Sequence, residues 1–182
     1  MITIRKASPA DALGITIVNV YTWDTAYRGL VPQQVIDERI RHLQTRAAVT
    51  KETIAAQDNF LVATEDDTII GFCMFGSARA EAYAGMGEVY ALYVLEGFQG
   101  KHIGKALFLA GIKALQAMGY SSLIINCLRG NPALAFYRHM GGEPIGQRTD
   151  EISGHRMTED VVLFAAIEET IAHIAEDGAP HD

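Results

Sequence analysis

The sequence predicts a single α/β domain, and three observations carry that prediction. Apolar runs of strand length alternate with longer stretches in which apolar residues recur at helical spacing. Two of the runs flank an acidic turn, Glu65-Asp66-Asp67, which is the pattern of an antiparallel hairpin. A third run passes through a small-residue loop into a long helical pattern and then into another apolar run, the pattern of a crossover unit. The 182 residues suit one domain, and 49% hydrophobic residues supply its core.

The elements follow in order. Ile2 to Lys6 alternates apolar and polar residues like a strand, and Ser8 then reads as an N-cap with Pro9 at the first helical position. Leu13, Ile17, Val20 and Tyr21 fall at helical spacing until Arg28-Gly29-Leu30-Val31-Pro32 breaks the pattern, and Gln33 to Gln57 resumes it as a second helix. Phe60 to Thr64 and Thr68 to Phe75 are the hairpin strands. A glycine-containing link at Ala84 to Gly87 precedes the strand Glu88 to Leu95. The helical pattern from Ile103 to Met118 stops at Gly119, where a C-terminal glycine is expected, and leads to the strand Ser122 to Leu128. Pro132 opens a short helix to Met140, Gly141-Gly142 closes it, and strands follow at Pro144 to Arg148 and Met157 to Ala166. The order is β-α-α-β-β-β-α-β-α-β-β, one domain over residues 1–166. Residues 167–182 turn acidic and read as a short helix followed by a frayed tail.

Composition excludes several classes. A net charge of -7 with no basic run argues against a nucleic-acid partner. No stretch approaches the apolar length of a membrane span, about 18 residues or more, and the N-terminus lacks a leader pattern, so no membrane association and a cytoplasmic location are expected. Cys73 and Cys127 sit in apolar strands without paired spacing and read as buried free thiols. The histidines at 42, 102, 139, 155, 173 and 181 show no ligand spacing, so no metal is expected.

The chemistry concentrates in the junction from Glu88 to Leu107. A strand feeding through a loop into a helix presents unpaired N–H groups and the positive end of the helix dipole, which suits a phosphate. Gly100 and Gly104 let backbone approach a bulky anion, and Lys101 and Lys105 add positive charge to an acidic protein. The ligand expected here is a di-phosphorylated cofactor. No Gly-Lys-Ser/Thr follows for a P-loop, and the Gly-x-Gly-x-x-Gly dinucleotide pattern is absent at this strand.

Gln99-Gly100-Lys101-His102-Ile103-Gly104 resembles the pyrophosphate motif of the GNAT superfamily of N-acetyltransferases, Gln/Arg-x-x-Gly-x-Gly/Ala, with His102 standing at the first glycine position. Asn131-Pro-Ala-Leu-Ala-Phe-Tyr137-Arg-His-Met-Gly-Gly resembles that family's Asn-x-Ala-x-x-Phe-Tyr-x-x-x-Gly-Phe segment, with Gly142 in place of the last Phe. Two motifs in order with a strand between them are more specific than either alone. The resemblance spans Ile2 to about Ala166 and implies a mixed, mostly antiparallel central sheet flanked by helices.

It also implies acetyl-CoA as co-substrate and transfer of its acetyl group to a primary amine on a small molecule or peptide. On these positions, backbone groups of Leu92 and Val94 would pair with the pantetheine arm. Residues Gln99, Gly100, Lys101, His102, Ile103, Gly104 and Lys105 would hold the pyrophosphate, and Asn131 would hydrogen-bond the cofactor. Tyr137 would lie beside the thioester sulfur as the acid, and Glu88, eleven residues before Gln99, is the candidate base, directly or through water. Trp23, Tyr27 and Arg28 would line the acceptor pocket. Each has a plainer reading: Tyr137 as packed aromatic, Asn131 as helix cap, Glu88 as exposed strand-end carboxylate, Trp23 and Tyr27 as core. A non-catalytic acyl-CoA-binding or regulatory module is the alternative that His102 keeps open, and a structural protein of this fold that forms a homodimer through its tail is a third reading. Overall acidity leans towards a cationic acceptor.

Overall fold

The computed structural model describes residues 1–176. Seven strands and six α-helices follow the expected order with two additions. They are β1 (Ile2–Lys6), α1 (Ala12–Ala26), α2 (Gln33–Arg41), α3 (Leu43–Ala56), β2 (Phe60–Glu65), β3 (Thr68–Ser77) and β4 (Gly87–Val94). Then come α4 (Ile103–Ala117), β5 (Leu123–Leu128), α5 (Ala133–His139), β6 (Glu143–Ile152), β7 (His155–Phe164) and α6 (Ile167–Glu176). The strands form one mixed sheet in the order β1-β2-β3-β4-β5-β7-β6. The β1/β2, β2/β3, β5/β7 and β6/β7 pairs are antiparallel, and β4/β5 is parallel. This is the mostly antiparallel sheet flanked by helices that the family resemblance implies.

Two compact units are distinguished: Met1–Met74 with Ala91–Phe108, and Phe75–Tyr90 with the described residues from Leu109 onward. In the first, α1 and α3 lay Ala12, Ile15, Val18 and Ile54 against Phe60, Val62 and Phe72 of the hairpin. Burying each of the larger side chains contributes about 1.5–3 kcal/mol. Gly14 permits the close approach of α1, since a Cβ there would stand 2.7 Å from Ile69 Cγ1. The approach to α1 is fixed by bonds between Ser8 and Asp11: Asp11 Oδ2 accepts from the Ser8 backbone N–H at 2.7 Å and from its hydroxyl at 3.1 Å, and the Ser8 carbonyl accepts from the Asp11 N–H at 2.9 Å. Arg5 clamps the same carboxylate through both Nη atoms, holding the Asp11 pKa down at about 2. The turn Asp66-Asp67 between β2 and β3 has positive φ at both residues, 48° and 64°, as a two-residue hairpin loop requires.

In the second unit β5 lies between β7 and the N-terminal half of β4, with Gly87 opposite Leu123 and Glu88 opposite Ile124. Leu115 of α4 covers Gly87, where a Cβ would meet Leu115 Cδ2 at 3.0 Å. Ser153-Gly154, with φ 50° and 79°, closes the β6–β7 hairpin.

Two sequence expectations are corrected. The helix expected over Gln33 to Gln57 is two helices, because His42 (φ -97°, ψ 20°) leaves the helical path between them. The last two strands extend towards each other, β6 to Ile152 and β7 from His155, and β7 ends at Phe164 rather than Ala166. The short C-terminal helix is α6, and the expected frayed tail falls at 177–182, outside the described residues. Cys73 and Cys127 are free and buried as expected, and burial pushes both thiols up to about 12. Among the described residues no helix is long and apolar enough to cross a membrane, and no cluster of three or more His, Cys, Asp or Glu could hold a metal.

Candidate active site

In the first unit, β4 runs out through a short 3-10 turn at Glu96–Phe98 into the loop that opens α4. The Gln99 side chain folds back, and its Nε2 donates to the Val94 carbonyl at 3.0 Å, which ties the strand end to the loop. Gly100 has φ 74° and His102 has φ 59°. His102 therefore adopts the left-handed backbone that a glycine would adopt at its motif position, with its side chain exposed. Its carbonyl accepts from the Ala106 N–H at 3.0 Å, so α4 starts directly after it. Ile103, 3% exposed, anchors the first turn in the core, and Gly104 and Lys105 follow on the half-buried side. A Cβ built on Gly97 or Gly100 would meet nothing within 4 Å, so the loop has open space beside it. Lys101 is exposed, its ammonium 5.0 Å from the Phe98 ring centre. First-turn N–H groups of an α-helix have no intrahelical acceptor. At the start of α4 such groups, with the open space beside Gly97 and Gly100, suit a phosphate.

The same unit holds the expected acceptor residues. Trp23 and Tyr27 are 7% and 8% exposed and meet edge to face with centroids 4.7 Å apart. The Tyr27 hydroxyl lies 3.1 Å from that of Tyr93 on β4, one residue before Val94. Arg28 points outward and pairs with Asp24 at 2.8 Å. The sequence did not single out Tyr93, nor Arg39, whose guanidinium carbon stacks 3.4 Å from the Trp23 ring centre. A signal for Arg39 existed: it is three and four residues beyond Ile36 and Val35, so it shares their buried face.

In the second unit, Glu88 is fully buried rather than exposed at the strand end. Its Oε1 accepts from Arg79 Nη2 at 2.6 Å, Arg79 Nε at 3.1 Å and Asn126 Nδ2 at 3.1 Å, and its Oε2 accepts from the Arg79 backbone N–H at 2.8 Å. Arg79 balances the charge and the Asn126 amide adds a hydrogen bond, which is how a buried carboxylate is tolerated. Asn131 Oδ1 accepts from the Ala133 N–H at 2.9 Å and caps α5, as its position before Pro132 suggests. Tyr137 is 7% exposed and packs edge to face on Phe136 with centroids 5.4 Å apart. Gly142 has a plain steric reason: a Cβ there would lie 2.6 Å from Phe164 Cζ and Val162 Cγ1 and 2.9 Å from the Tyr137 carbonyl.

The chain is similar to known acetyltransferases. The family model described as an acetyltransferase (GNAT) domain matches residues 56–141. YuaI, an uncharacterized N-acetyltransferase of Bacillus subtilis, is 30% identical over 162 residues, 87% of this chain and 90% of its own. The spermidine N(1)-acetyltransferase of Thermoplasma acidophilum is 30% identical over 122 residues, 65% of this chain and 73% of its own. The crystal structure of the PaiA N-acetyltransferase from Thermoplasma acidophilum in complex with coenzyme A superposes with a TM-score of 0.66 at 22% identity, covering 88% of this chain and 98% of that one.

Proposed function

Because the chain belongs to the GNAT family of N-acetyltransferases, we propose that it transfers the acetyl group of acetyl-CoA to a primary amine. The observation that carries this reading is the left-handed backbone of both Gly100 and His102 at the start of α4. The motif's substitution changes a side chain that faces solvent and leaves the loop's conformation in place. The reason for considering a non-catalytic module goes with it.

In the reaction the amine nitrogen attacks the thioester carbonyl carbon, the N–C bond forms as the C–S bond breaks, nitrogen loses a proton and sulfur gains one. An alkylamine with a pKa near ~10.4 arrives mostly protonated at neutral pH, so a proton acceptor is part of the mechanism. Residues from Gln99 to Lys105 hold the pyrophosphate, Leu92 and Val94 offer strand backbone to the pantetheine arm, and Asn131 binds the cofactor while capping α5. Tyr137 supplies the proton to the departing sulfur. Glu88 is the carboxylate for the amine proton, and to serve it must exchange Arg79 for water. The Arg79 side chain, 59% exposed, has solvent to swing into.

The test is release of CoA from acetyl-CoA over a panel of primary amines, with Tyr137→Phe beside the parent. With an active amine, kcat of the variant should fall by roughly 10²-fold or more while CoA affinity by calorimetry holds, as expected for a group acting on the transition state. Parent-like turnover in the Phe variant removes Tyr137 from the mechanism. An absence of calorimetric binding at millimolar CoA rejects the whole reading.

A further inference from the structure

Two arginines in the first unit lack the partners that buried cations normally have. Arg39 of α2 and Arg46 of α3 are both partly buried, and both lean on one neutral acceptor, Asn19 Oδ1, at 3.5 Å and 3.3 Å. Among the described residues neither guanidinium has a carboxylate partner. The acids nearest in sequence are engaged elsewhere: Asp37 accepts from Gln33 at 3.0 Å and Glu38 from Gln34 at 3.5 Å. The Nε of each arginine and the indole Nε1 of Trp23 are buried donors without an acceptor. Burial, and then the charge of Arg46, push the Arg39 pKa down to about 10, and burial lowers that of Arg46. Leaving a buried donor unmet is costly, and more so when it is charged. In a chain of net charge -7, two such cations side by side call for an explanation.

The pair also sits in a telling place. Arg39 stacks on Trp23, Trp23 meets Tyr27, and the Tyr27 hydroxyl reaches that of Tyr93, the neighbour of Val94 on β4. A contiguous chain of contacts thus leads from the two guanidinium groups to the strand at which the proposed acetyl donor would lie. Arginine is the residue suited to planar, two-toothed binding of carboxylate or phosphate oxygens.

We infer that Arg39 and Arg46 bind an oxyanion carried by the acceptor, so that the substrate is a primary amine bearing a carboxylate or phosphate. This rests on the acetyltransferase reading and names the substrate class for it. The oxyanion supplies the missing acceptors and the missing negative charge, and the contacts through Trp23, Tyr27 and Tyr93 connect the pair to β4. Polyamines, whose cations the pair repels, are poor acceptors for this chain, contrary to what its overall acidity suggests.

The experiment compares kcat/KM for 4-aminobutyrate, O-phosphoethanolamine, n-butylamine and spermidine with acetyl-CoA as donor. One of the two anionic amines should exceed butylamine by about 10-fold or more, and the better of the two identifies the oxyanion. Arg46→Gln and Arg39→Gln should each close that gap. Equal or better turnover of butylamine or spermidine, or a gap that survives both substitutions, overturns the inference. A binding arm stands apart from turnover: glutarate and inorganic phosphate are titrated against the melting temperature of the parent and of Arg46→Gln without donor. At least one anion should raise the parent's melting temperature and not the variant's, and the unliganded variant should melt no lower than the parent, since it sheds an uncompensated charge. A variant that melts lower, with a parent unmoved by either anion, makes the arginines structural and overturns the proposal. Failure of CoA to bind while an anion shifts the parent would reject the acetyltransferase reading and leave the oxyanion site standing.

Discussion

His102 shows how little a motif substitution changes when backbone and side chain answer to different demands. The position needs a left-handed residue between the end of the loop and the first turn of α4, and histidine takes it at φ 59°. For a residue with a Cβ that conformation costs about 1–2 kcal/mol. His102→Gly should therefore raise the melting temperature, by strain relief partly offset by the looser unfolded chain, for a net gain of about 1 kcal/mol or less. CoA affinity should be unchanged, because the amides stay where they are. Thermal melts and calorimetry on the variant decide it: a lower melting temperature would mean that the imidazole makes a contact worth more than the strain. Sequence alone could not choose between an ordinary helical and a left-handed His102, since both are compatible with a strand, a loop and a helix. It was equally silent on Glu88, whose burial depends on Arg79, nine residues earlier in an irregular segment with no periodicity to read.

At the scale of elements, periodicity located the helices and strands but not their interruptions. Ile36 and Ala47 are both buried and eleven residues apart, about three turns at 3.6 residues each, so the apolar pattern runs on through the break at His42 without a change of face. With no glycine or proline there, nothing marks the turn between α2 and α3. The β6–β7 hairpin was under-read for a related reason: its outer half, Thr149 to Ile152 against His155 to Thr158, alternates weakly because little of it is buried. Gly142 is the clearest case of packing deciding a residue. The family's Phe has no room, because Phe164 and Val162 of β7 already fill the space against the α5 carbonyl of Tyr137. Gly142→Ala should destabilise by about 1–3 kcal/mol through overpacking, without loss of CoA affinity. Chemical denaturation gives the stability change, and parent-like stability would show that β7 yields there at little cost.

On the scale of the whole molecule the sequence yields the order of elements but not their order in the sheet, where β7 comes between β5 and β6. That placement depends on which edge of the last hairpin meets β5, and no local signal encodes it. The two compact units raise a different question, whether residues 1–166 unfold as one domain. Domain boundaries ordinarily fall in exposed linkers. Here the division cuts through β3, β4 and α4, each of which gives residues to both units. Elements continuous across a boundary do not melt by halves without exposing ladder and helix bonds, so a single cooperative transition is expected. CoA should move that transition as a unit. A ligand that binds only the native state at about 100 times its Kd stabilises by about 2.7 kcal/mol. For a chain of this length each kcal/mol is worth about 2–4 °C, giving a shift of about 5–10 °C. Gly104→Asp should abolish the shift by placing a side chain and a negative charge where the start of α4 meets phosphate, while leaving the unliganded transition single. Calorimetric scans of both proteins with and without CoA test this together. Two transitions, only one of them moved by CoA, would refute the single domain, and a full shift in the Gly104→Asp variant would take the pyrophosphate away from this loop.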